Sequence, residues 1–163
     1  TGFIITSFDD VLSETGRIGL LLTACVPMLM GTGGNCGNQS STLVIRGIAL
    51  GKIGFSDILK VLWKEIRVAT ITGVTLGAAN VLRQVALYYF TGGVTEESIT
   101  VTFIVSLAIV CTVIISKSIG CTMPLFADKL HLDPALMAYP VISTLVDACS
   151  LLVLLSIATL VVG

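Results

Sequence analysis

Four stretches of this chain are long, apolar and nearly free of charge, and each predicts a helix. Residues 18–45 include no Asp, Glu, Lys or Arg. At about 1.5 Å per residue they would outrun the ~30 Å hydrocarbon core of a bilayer. Residues 68–91 form a second run, interrupted by Asn80, Arg83 and Gln84. Residues 99–126 carry Lys117 as their only charge, and residues 135–162 carry only Asp147. The shorter apolar stretch at 1–8 predicts the end of a further helix whose start is missing. The expectation is an all-α, polytopic membrane helix bundle.

The connections orient it. Residues 46–67 hold Arg46, Lys52, Lys60, Lys64 and Arg67 against Asp57 and Glu65. The turn with Asp9, Asp10 and Glu14 has Arg17 alone to set against them, and the one with Glu96 and Glu97 has no Lys or Arg. By the positive-inside rule the basic connection is cytoplasmic, the acidic turns face out, and the C-terminus lies outside. The turn at 128–133, with Lys129 and His131, then falls inside. Within the basic connection, Phe55, Ile58, Leu59, Leu62 and Trp63 recur at helical spacing with Lys60 and Lys64 between them. That pattern predicts a helix lying in the membrane interface.

Composition agrees and narrows the function. Hydrophobic residues make up 55% and charged residues 12% of 163, against about 25% charged in an ordinary soluble domain. A net charge of −1 supplies no basic field for nucleic acid. Five cysteines, odd in number and without CxxC spacing, read as small buried thiols. The first residue is Thr1, which suggests a fragment of a longer chain.

Asp147 carries the most information. An ionised carboxylate in mid-span costs at least ~2.5–3.5 kcal/mol, and it needs a basic partner, an ion or water. Arg83 and Lys117 are the candidate basic partners. Ser143 and Tyr139 stand one and two turns earlier on the same helix face, with Thr144 beside them. Pro140 leaves the Leu136 carbonyl without its helical donor. Hydroxyls, a freed carbonyl oxygen and a carboxylate suit a hydrated hard cation. The second polar feature is residues 31–42, rich in Gly, Asn, Gln, Ser and Thr. Either Gly33 and Gly37 form a helix–helix contact with the polar side chains as glue, or Asn35, Asn38 and Gln39 line a wet pathway; both can hold on different faces. Catalysis finds no support. Asp147 lacks a second membrane carboxylate to share a proton with, the only histidine is in a turn, and the glycines of GTGGNCG follow no strand. The chain reads as a non-enzyme.

The stretches GTGGNCGNQSSTLVIRGIALG and DPALMAYPVISTLVDACSLL closely resemble the signatures of MgtE-type magnesium channels. The resemblance covers the whole chain. It implies five transmembrane helices per protomer, the first truncated here, and a homodimer in the plasma (inner) membrane with a central pore lined by the second and fifth helices. It implies Mg²⁺ as the transported ion, selected around an acidic residue that maps to Asp147, with Ser143 and Tyr139 at the neighbouring filter positions. Tyr139 departs from the small polar residue associated with that position. A cytosolic, magnesium-sensing region ahead of the first helix is also implied, and it is absent from this chain. Asn35, Asn38, Gln39 and Thr144 are the expected pore-lining residues. A metal at Asp147 is expected to be held through water, because Mg²⁺ dehydrates reluctantly. A proton- or sodium-coupled divalent cation carrier using Asp147 is the alternative.

Overall fold

The computed structural model describes Thr6, residues 16–91 and residues 95–162. The helix end expected at 1–8 lies, apart from helical Thr6, outside the described residues, as does the acidic turn at Asp9, Asp10 and Glu14. The described chain is all-α. Helix α1 spans Arg17–Ala49, a single 3-10 turn spans Phe55–Asp57, and α2 spans Ile58–Thr91. Helix α3 spans Glu96–Lys129 and α4 spans Pro134–Val162. Among the described residues, three helical segments are long and apolar enough to cross a membrane: α1, α3 and residues Tyr139–Val162 of α4.

Helix α3 is the centre of the bundle. It packs on α1, α2 and α4, while α1 also packs on α4 and α2 leans chiefly on α3. The main core joins Leu22 and Leu29 of α1, Ala69 of α2, Ile104, Val105 and Val113 of α3, and Leu154 of α4. A second cluster sets Val44, Cys121 and Leu125 against Phe55, Ile58 and Leu62.

The 46–67 connection has different boundaries from those expected. Residues 58–67 are the first turns of a continuous helix that runs on to Thr91. Lys, Glu, Trp and Arg there are adequate helix formers, and no Gly or Pro occurs from Ile58 to Thr72. The predicted helical spacing is present: Ile58 and Leu62 face the cluster with Leu125, while Leu59 and Trp63 are exposed.

Two helix ends close in the same way. After α1, Gly51 adopts φ 65°, its N–H donates to Ile48 and that of Lys52 to Gly47. After α3, His131 adopts φ 57°, its N–H donates to Asp128 and that of Leu132 to Ala127. Both are left-handed C-caps that satisfy otherwise orphaned carbonyls. Asp133 then caps α4 by accepting from the Ala135 N–H at 2.8 Å, with Pro134 at the first helical position, where its missing N–H costs nothing.

Glycines set the tightest approach. A Cβ on Gly120 of α3 would collide with the carbonyl of Gly37 in α1, so the two helices touch backbone to backbone. A Cβ on Gly33 would meet Ser150, Thr112 and Val146 at 2.8–2.9 Å. Gly33 and Gly37 of α1 are therefore helix–helix contacts, whereas a Cβ on Gly31 or Gly34 would meet nothing.

Candidate functional site

The Gly33 and Gly37 contacts also fix the register of α1 against α4. Gly33 lies level with Val146 and Ser150, and Gly37 with Ile142 and Val146. The two helices run antiparallel, so Asp147 stands beside the start of the polar stretch of α1 and Ser143 beside its middle. Tyr139 lies farther along, where it lines a groove of about 360 Å³ with Asn38, Ser41, Thr42, Ile45, Arg46 and Ala135.

Of the residues singled out in α4, Asp147 and Ser143 are half-buried, while Thr144 and Tyr139 are exposed. The Thr144 hydroxyl donates to the carbonyls of Pro140 and Val141, both at 3.0 Å. In α1, Asn35 and Gln39 are exposed and Asn38 is half-buried. Gly33 and Gly37 on the packed face and Asn35 and Gln39 on the exposed one thus divide the polar stretch. The groove brings Asn38 and Tyr139 together; Gln39 turns instead toward α3.

Neither candidate basic partner is joined to Asp147. Lys117 is 2% exposed and lies 3.5 Å from Glu65 Oε2. Its ammonium also donates to Gln39 Oε1 and Ser40 Oγ, each at 3.3 Å. The Ser40 hydroxyl donates to Glu65 Oε2 at 2.6 Å. Arg83 donates to Asn80 Oδ1 at 3.1 Å, and Asn80 donates to Ser106 at 3.0 Å. Among the described residues, Asp147 makes no ion pair or side-chain hydrogen bond. No three His, Cys, Asp or Glu side chains cluster to hold a metal among them either.

Glu65 is the residue that the sequence reading missed. Counted only among the charges of the cytoplasmic connection, it is 7% exposed. The signal was its position. Ile58, Leu62, Glu65 and Ala69 repeat at spacings of four, three and four, which places the carboxylate on the apolar side of α2.

At the edge of the bundle, Asp57 accepts from Lys60 Nζ at 3.2 Å and from the Gly54 N–H at 3.3 Å. Those hydrogen bonds, the lysine's first, hold its carboxyl below the usual carboxylate value.

Residues 26–157 match the MgtE family, described as a divalent cation transporter. The chain is 32% identical to the magnesium transporter MgtE of Thermus thermophilus, 31% to that of Bacillus subtilis and 26% to that of Enterococcus faecalis. Each likeness covers 98% of this chain and 33% of the relative. The chain thus spans about a third of the length of these relatives. A family of transporters agrees with the expectation that the chain is no enzyme. The chain belongs to the MgtE family of divalent cation transporters.

Proposed function

We propose that this chain is the pore-forming part of a magnesium channel. Two copies pair so that α1 and α4 of each line a route at the twofold axis, with Asp147 of both copies facing the ion. The relatives' description as magnesium transporters supports the choice of ion. The observation that carries the reading is the state of Asp147. It is a half-buried carboxylate beside a polar helix face, and both candidate basic partners, Lys117 and Arg83, are engaged elsewhere. A carboxylate in an apolar span needs a countercharge or water, and a passing cation supplies one.

One protomer offers one carboxylate at this level, with the Ser143 and Tyr139 hydroxyls on the turns before it. Two such sets fall short of the roughly six oxygens that a dehydrated Mg²⁺ requires, so the ion keeps its water and the carboxylates bind that water. Asn35, Asn38 and Thr144 line the approach. In this reading residues 68–91 are a further span and the whole bundle sits in the plasma membrane. The basic region at 46–67 faces the cytoplasm and the C-terminus lies outside, an orientation that the distribution of Lys and Arg supports.

Mg²⁺ flux into proteoliposomes tests the proposal. Asp147→Asn keeps shape and removes both charges of the dimer, and it should stop Mg²⁺ uptake; uptake at the native rate rejects Asp147 as the selecting residue. Unitary currents in a planar bilayer distinguish a channel from a coupled carrier, which shows none.

A further inference from the structure

Lys117 is the one charged residue in the apolar run of α3, and the proposed ion route leaves it unused. Its ammonium group lies near three oxygens from two other helices: Gln39 Oε1 and Ser40 Oγ at 3.3 Å, and Glu65 Oε2 at 3.5 Å. An ammonium has three donors and no acceptor. Ser40 gives its own proton to Glu65 at 2.6 Å, which leaves its lone pairs for Lys117. The Lys117 ammonium and the Ser40 hydroxyl therefore both find acceptors. Carboxylate, amide oxygen and hydroxyl are also the ligand types of a hard-cation site. Here a cation tethered to α3 fills that cage.

The consequence falls on Gln39. Opposite a group that only donates, its amide must turn the oxygen inward. Its two N–H donors are left for the exposed side of α1. N–H groups neither ligate Mg²⁺ nor accept from its water shell; they hold water oxygens or a carboxylate instead. Resting on the reading of α1 as a pore-lining helix, we infer that Lys117 is a positioning residue for ion passage: it occupies the cation cage between α1, α2 and α3 and fixes Gln39 as a hydrogen-bond donor on the route.

The test uses the full chain in proteoliposomes, with Mg²⁺ and Ca²⁺ flux and the melting temperature as readouts. Lys117→Met combined with Glu65→Gln removes both charges and strands neither. The double variant should melt near the native temperature yet pass Mg²⁺ about tenfold more slowly, or discriminate against Ca²⁺ about tenfold less, because the amide is free to flip. Native melting with native flux and selectivity reduces the pair to a structural tie and overturns the inference. If the double variant does not fold, Gln39→Leu in the otherwise native chain decides: the same loss supports the inference and unchanged flux overturns it. Asp147→Asn is measured alongside. If it conducts normally, the pore reading fails and takes this inference with it. If it stops Mg²⁺ while the Lys117 and Gln39 variants conduct normally, only the inference fails.

Discussion

Lys117 of α3 and Glu65 of α2 form an ion pair at 3.5 Å in which neither side chain is more than a tenth exposed. Removing one partner of such a pair leaves a buried charge alone, which costs about 3–5 kcal/mol, whereas removing both is far less damaging. Lys117→Met and Glu65→Gln should each lower stability by that order in detergent, and the double variant should regain most of it. Additive losses in a double-mutant cycle would show that the two residues do not act as a pair.

If Asp147 selects the ion as proposed, that ion is expected to keep its first water shell. A structure determined with Mg²⁺ should show density on the twofold axis about 4 Å from each carboxylate, bridged by water. Direct bonds of about 2.1 Å from both carboxylates would contradict this, since they demand near-complete dehydration.

Gly120 admits no side chain, because its Cα faces the Gly37 carbonyl. Gly120→Ala should force α1 and α3 apart and destabilise the bundle by about 1–3 kcal/mol, the usual penalty of overpacking. Gly34, around which a Cβ has open space, is the control. Gly34→Ala should melt at or above the native temperature.

His131 and Gly51 hold the same left-handed cap, one with a Cβ and one without. His131→Gly should therefore stabilise the turn between α3 and α4, and Gly51→Ala should destabilise its counterpart, each by about 1 kcal/mol. Thermal unfolding of the two variants checks both signs.

Asp57 should titrate below an ordinary aspartate, as read from its carboxyl NMR shift, because Lys60 and the Gly54 N–H favour its charged form. Its folded value is depressed, so its hold on the turn is complete above the unfolded value. That hold is lost as pH falls through the folded one. Lys60→Met should move the titration back upward.

The long helices were legible because charge-free runs of that length have few other solutions. The glycine and amide faces of residues 31–42 were legible too, since a helix separates positions 33 and 37 from 35 and 39. The start of α2 was harder. Composition changes at Arg67, from amphipathic to apolar, but nothing there breaks a helix, so chemistry and backbone part company. Lys117 was visible as an anomaly, but its partner was not, because Glu65 and Ser40 approach it from two other helices. Long-range pairing of that kind leaves no trace in local periodicity.

The contact between Gly37 and Gly120 has a mechanical meaning. With no side chains between them the two backbones meet directly, so a tilt of α1 against α3 would turn about that point. Gly37 stands 20 residues from Arg17 and 12 from Ala49, arms of about 30 Å and about 18 Å at helical rise. For one angle of tilt the Arg17 end sweeps the wider arc. The Ala49 end trades travel for leverage, as the short side of a balance beam does.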